Sequence, residues 1–223
     1  MGMTLGRQIE AAASEVKPVS PRPRGRPASP TRRREMLDIA AAMFAREGYH
    51  GTSMRALAER AGVNPASLYH YFRSKEDVLL DVCLAGIRDS ATRLEAMLAT
   101  PASMDTRIRR FVGENIADLQ DHAEYRHAYY EQREHLSTEQ RDTIDQETRR
   151  VRRLLDRLFE EARGGGELHA TLDARQASLA TASIMQAITR YYINGPIRDF
   201  RHIATGMTET LIRGLRAEQS SPA

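Results

Sequence analysis

The chain has 223 residues, 41% of them hydrophobic, with no Trp, a single Cys and a formal net charge of +3. That length and apolar content suit one helix-rich domain or two small ones around a real core. One cysteine rules out an intrachain disulfide, a Cys-based zinc site and a Cys–Cys redox pair, and apolar runs such as 39–45 fall far short of the ~20 residues that span a bilayer.

The charge is unevenly placed. Residues 1–34 carry eight basic groups against Glu10 and Glu15, a net +6 that leaves −3 for the remainder. Within residues 1–30, Pro18, Pro21, Pro23, Pro27 and Pro30 lie among Ser, Arg and Gly. Such a segment cannot bury a core or continue a helix, so a disordered basic arm is expected. Its charge points to a polyanion partner; a solubilising tail is the plainer alternative. Basic residues are 31 Arg to two Lys, Lys17 and Lys75, so a single Arg carries little information while a retained Lys carries more.

From Arg32 the helical period takes over, with Met36, Ile39, Ala40, Met43 and Phe44 on one stripe up to a stop at Gly48. Thr52 and Ser53 are N-cap types for a second helix, with Met54, Leu57, Ala58 and Ala61 facing inward and Gly62 as its stop. Asn64 caps a short third helix with Pro65 at its first position, closing near Arg73. Ser74 and Asp77 then cap a long fourth helix to about Leu98, in which Cys83 among Leu79, Leu80, Val82 and Leu84 reads as a core thiol. Further helices are expected at about 104–120, 123–135, 138–163, 173–193 and 197–217. Ser137 with Gln140 and Asp173 with Gln176 mark two starts, and the Gly164–Gly166 and Asn194-Gly195-Pro196 segments are breaks. The fold class is all-α: an arm (1–30), a three-helix helix-turn-helix domain (31–76) and a helical body (77–223).

Two short helices about a Gly-centred turn, followed by a long helix, form a helix-turn-helix, whose second helix enters the major groove. There Leu68 and Phe72 face inward, while Pro65, Ala66, Ser67, Tyr69 and His70 face outward. Small residues at 66 and 67 let the backbone approach the bases, Ser67 bonds base edges, and Tyr69 and His70 reach a phosphate or a base. The segments Gly48-Tyr49-His50-Gly51-Thr52-Ser53, Ala61-Gly62-Val63 and 67–76 (SLYHYFRSKE) closely resemble the TetR family of bacterial regulators. The resemblance covers about fifty residues and implies that Thr52, Ser53, Tyr69 and Lys75 touch phosphates while helix three reads bases. Arg55 is a weaker phosphate candidate, and Asn64 belongs to the same DNA-facing set. Lys75 opens a helix, where dipole and free N–H groups already favour an anion.

The recognition unit itself is not basic: Arg46, Arg55, Arg60, Arg73 and Lys75 are opposed by six carboxylates, net −1. The arm supplies the attraction. Its Pro23-Arg24-Gly25-Arg26-Pro27 resembles an AT-hook core, with Arg24 and Arg26 along a narrow minor groove; a tether without sequence preference is the alternative.

A homodimer on double-stranded operator DNA is expected, since one module reads few base pairs. Leu179, Ala180, Ile184, Ala187 and Ile188, then Ile203, Met207, Leu211 and Leu215, resemble the family's dimer-forming helix pair, or else are intramolecular core. The resemblance also implies a small-molecule effector that releases the operator. Tyr125, Tyr129, Glu131 and Arg133, with Ile188, Tyr191 and Tyr192, are the expected ligand-binding residues. Their arrangement is similar to that of members responding to acyl-CoA thioesters, although the tryptophans of those members are missing. No cofactor, metal or membrane contact is expected, and the absence of a signal-peptide block at the start points to the cytoplasm. Two competing classes are a nucleoid-type DNA protein lacking a specific operator, and a metal protein or enzyme built on His127, Glu131 and His135 at i, i+4, i+8.

Overall fold

A computed structural model describes residues 30–194 and 199–217. Most of the expected arm, with Arg24 and Arg26, lies outside the described residues, as does the Gly195-Pro196 break. The described residues form nine α-helices: α1 Pro30–Gly51, α2 Met54–Arg60, α3 Pro65–Tyr69, α4 Lys75–Leu98, α5 Met104–Asp121, α6 Ala123–Gln132, α7 Thr138–Gly164, α8 Ala174–Asn194 and α9 Phe200–Leu215. A 3-10 turn, Arg133–His135, follows α6, and the only pairing of strand type among the described residues is a bridge between Leu168 and Arg216. The fold is all-α.

The helix boundaries follow from local chemistry. The Ser53 hydroxyl accepts from Ala56 N at 3.1 Å, and Asn64 Oδ1 accepts from Ala66 N at 2.8 Å ahead of Pro65. Ser137 and Gln140 close a reciprocal capping box, each side chain accepting the other's backbone N–H at 3.2 and 3.1 Å; Asp173 and Gln176 do the same at 2.7 and 2.9 Å. At the end of α2, Val63 N reaches Ala58 O and Gly62 N reaches Glu59 O, the paired bonds of a Schellman motif with Gly62 at φ 62°. Only glycine adopts that conformation without strain, so Gly62→Ala is expected to lower stability by about 1 kcal/mol in chemical denaturation.

The chain divides into two compact units, the first running to Gly86 and taking in His122–Ile144, the second comprising 87–121 and the chain from Asp145. The unit holding the helix-turn-helix keeps the start of α4 and all of α6. Its core is Met36, Met43, Phe44, Leu57, Leu68, Phe72 and Leu79, all fully buried. Leu37 and Ala41 are buried too, whereas Ile39 from the expected stripe is half-buried. The reason is that α1 packs against α6 as well as α2, so its apolar surface is wider than one stripe. Cys83 is buried in this unit, and desolvation pushes its thiol up to about 12.

In the second unit Leu94, Ile108, Phe111, Leu155, Phe159, Ile188, Phe200 and Ile212 form the core. Here α9 is held to α5 by a two-pronged Arg109–Glu209 pair at 2.8 and 2.9 Å.

Candidate nucleic-acid interface

The third helix is shorter than its sequence suggests. It ends at Tyr69, after which Tyr71 N and Phe72 N both reach Leu68 O, and this tight turn carries Phe72 into the core. Arg33 of α1 lies over the Phe72 ring at 4.8 Å. With Leu68 and Phe72 both buried, the opposite side is left outward. Pro65, Ala66 and His70 are exposed, Ser67 is half-buried, and Tyr69 is an exposed large hydrophobic at 53%. Tyr69 thus presents its ring and hydroxyl to solvent from a helix of five residues.

Residues expected on phosphates take different places. Ser53 and Arg55 are exposed at the start of α2. Asn64 is exposed, its side-chain oxygen occupied by the cap and its amide nitrogen left as a donor. Thr52 is 1% exposed, and its hydroxyl donates to Gly48 O at 2.9 Å, so the side chain points into the protein. The cause is Gly48, which leaves the helix at φ 72° and turns its carbonyl toward Thr52.

Lys75 is also anchored. Its ammonium donates to Tyr49 O at 2.8 Å and Thr52 O at 2.9 Å and lies 4.0 Å from the centre of the Tyr49 ring. An ammonium has three donors, so one remains. The His135 ring also stacks on Tyr49, at 4.6 Å. Tyr49's backbone N–H donates to Gln132 Oε1 at 2.8 Å, and its hydroxyl donates to Glu76. Burial, reinforced by the Glu76 acceptor, pushes the Tyr49 phenol up, while the bond from Tyr49 holds the Glu76 carboxyl below its ordinary range. Tyr49, Glu76, Gln132 and His135 are thus positioning residues that the sequence reading missed. Only Tyr49 and Glu76 carried a signal, through the Gly-Tyr-His-Gly and SLYHYFRSKE segments.

The expected ligand-binding residues are shared between the two units. In the first unit Tyr125 is 5% exposed, donates its hydroxyl to Asp38 at 2.6 Å and lies under the Arg34 guanidinium, fastening α6 to α1. Tyr129 accepts from Arg133 at 3.0 Å, and Glu131 is exposed. In the second unit Ile188 and Tyr192 are core, Tyr192 meeting Phe200 edge-on at 4.7 Å, and Tyr191 is half-buried. The His127–Glu131–His135 face breaks down because α6 stops at Gln132 and His135 turns onto Tyr49. Among the described residues no group of three His, Cys, Asp or Glu is placed to hold a metal ion. Among them, no helix is long and apolar enough to cross a membrane.

A helix-turn-helix with an outward recognition helix, followed by an all-helical body, defines a DNA-binding regulator of transcription rather than an enzyme. The pattern described as bacterial regulatory proteins of the tetR family matches residues 36–82, and that of a tetracyclin repressor-like C-terminal domain matches residues 101–215. The chain belongs to the TetR family. It is 24% identical over 183 residues to the fatty acid metabolism regulator protein of Bacillus subtilis, covering 81% of this chain and 94% of that one. It is 30% identical over 153 residues to the HTH-type transcriptional repressor KstR2 of Mycolicibacterium smegmatis, covering 66% and 73%. In fold it resembles the solved structure of FadR from Bacillus subtilis in complex with stearoyl-CoA, with a TM-score of 0.69, 20% identity, and 81% and 98% covered.

Proposed function

We propose that this regulator represses transcription as a homodimer on a palindromic operator and is released by a small hydrophobic effector of the acyl-CoA class. The DNA half rests on α3: two buried side chains, Leu68 and Phe72, fix a helix whose Ala66, Ser67, Tyr69 and His70 remain available to the groove. Ser53, Arg55, Asn64 and Lys75 flank it as phosphate contacts. Thr52 drops out of that set as a side-chain donor because its hydroxyl is turned inward. The effector class is supported by one similar protein, the fatty acid metabolism regulator FadR of Bacillus subtilis, whose structure was solved in complex with stearoyl-CoA.

DNase footprinting tests the first half: one protected palindrome is expected, whereas a nucleoid-type protein protects no defined site. Stearoyl-CoA titrated into the operator complex tests the second half; a complex that survives saturating thioester ends the effector reading. Within the interface, Tyr69→Ala is expected to weaken specific and random DNA alike, by about tenfold. Ser67→Ala is expected to change base preference instead, at a cost of ~1 kcal/mol at the position it reads. Equal losses on both kinds of DNA from Ser67→Ala would contradict this division.

A further inference from the structure

Three of the eight basic groups at the start of the chain, Arg32, Arg33 and Arg34, stand in α1 and are each paired with a carboxylate of the first unit. Arg34 turns to Asp38 on its own helix, at 3.4 Å. The other two reach the segment that carries α3, one at each end.

Arg32 holds the end that precedes α3. Its Nη2 donates to Ala61 O at 2.6 Å, while its Nη1 donates to Glu35 Oε2 at 2.6 Å and so restrains the guanidinium. Ala61 closes α2, and carbonyls at a helix end lack a partner within the helix. The bond is charge-assisted and lies at the negative end of the helix dipole. Arg33 holds the end that follows α3. It pairs with Asp81 of α4, and its guanidinium carbon lies over the Phe72 ring at 4.8 Å from the centre, within the range of a cation–π contact. Consecutive helical residues project about 100° apart, which lets two neighbours on α1 reach either side of α3.

α3 does not fix its own place. Isolated helices shorter than about 12–15 residues are marginal in water, and this one has five, with Leu68 as its only buried residue. One buried side chain leaves a short rod free to pivot, so the setting of Ser67 and Tyr69 depends on what holds Ala61 and Phe72. Hydrogen bonds to base edges demand close geometry, whereas attraction to phosphates tolerates small displacements.

We propose that Arg32 and Arg33 are positioning residues for base recognition: from adjacent sites on α1 they clamp both ends of the segment carrying α3 and set its register in the major groove. This rests on the DNA half of the function proposed above and adds two residues that act through α3.

The test measures the affinity of the full chain, by fluorescence anisotropy, for the duplex protected in the footprint and for a random duplex of equal length. Arg32→Gln is too short to reach Ala61 O, and Arg33→Lys keeps the charge for Asp81 but not the flat guanidinium over Phe72. Each is expected to lower the ratio of operator to random affinity by about tenfold, with the random duplex bound within about threefold of the unaltered chain. Arg32→Lys, long enough to donate to Ala61 O, should restore most of the ratio. Both arginines are half-buried, so the variants are expected to fold, which circular dichroism checks; if Arg32→Gln does not, Arg33→Lys and Arg32→Lys decide. Equal losses on both duplexes would make the arginines phosphate contacts, and a folded variant with an unchanged ratio would leave them only a structural role. Either result overturns the proposal while the DNA reading stands. An unaltered chain that binds both duplexes equally removes that reading and the proposal together.

Discussion

Replacing Leu179 and Ile203 together by Glu is expected to turn a dimer into a folded monomer and to lower operator affinity by ~10² or more. These two side chains stand out among the described residues. Leu179 on α8 is 50% exposed and Ile203 on α9 is 36% exposed, although both helices pack into the second unit through other faces. Ala187, from the same expected stripe of α8 as Leu179, is exposed too, while Ile188, Leu211 and Leu215 are buried. The apolar pattern of the last two helices therefore serves two purposes. One set of residues holds the unit together, and the other is left in water, where a second copy would cover it. Two carboxylates on that surface would have to be desolvated without partners on association, an outlay the interface cannot recover. Because neither position is in the core, helicity and the monomer fold should survive. Sedimentation velocity gives the mass and a gel shift gives the affinity. A double variant that still sediments as a dimer would show that the interface lies elsewhere.

The sequence carried those features that depend on neighbours in the chain. Both capping boxes, the N-caps at Ser53 and Asn64 and the glycine stop at Gly62 need only a few consecutive residues, and all are present where their patterns lie. What could not be read is what partners far apart in sequence decide. Lys75 meets Tyr49 across 26 residues, Gln132 meets Tyr49 across 83, and Tyr125 meets Asp38 across 87. Periodicity cannot show that α6 would pack on α1, yet that packing accompanies the burial of Leu37 and Ala41, the stacking of His135 on Tyr49 and the bond from Tyr125 to Asp38. Likewise Thr52 and Ser53 are equivalent as cap types. The positive φ of Gly48 separates them, sending the Thr52 hydroxyl inward and leaving Ser53 as the cap. The outward side of α3 was legible because Leu68 and Phe72 are the wholly apolar large residues available to bury the opposite side. Its early end was not, since the turn after Tyr69 depends on where Phe72 is received.

Lys75→Met is expected to weaken the protein and its DNA binding at once, through different donors of one ammonium. In the folded chain that group joins the start of α4 to the carbonyls of Tyr49 and Thr52, on either side of the turn leading into α2. Charge-assisted bonds of this kind contribute about 1.5–3 kcal/mol each when fully buried. Lys75 is half-buried and water can reach part of the vacated space, so a net loss near 2 kcal/mol is expected. For a chain of this size that is a fall in melting temperature of about 4–8 °C. Methionine keeps the length and the apolar stem of lysine, so its packing against the Tyr49 ring changes little and the loss reports the ammonium itself. The third donor is the one available to a phosphate at the amino end of α4. Its loss should lower operator affinity and reduce the slope of log K against log salt by about one. The two readouts separate the roles. An unchanged melting temperature would mean that the ammonium does not hold the turn, and an unchanged salt slope would remove the phosphate contact and leave Lys75 as a positioning residue for α2 and α3.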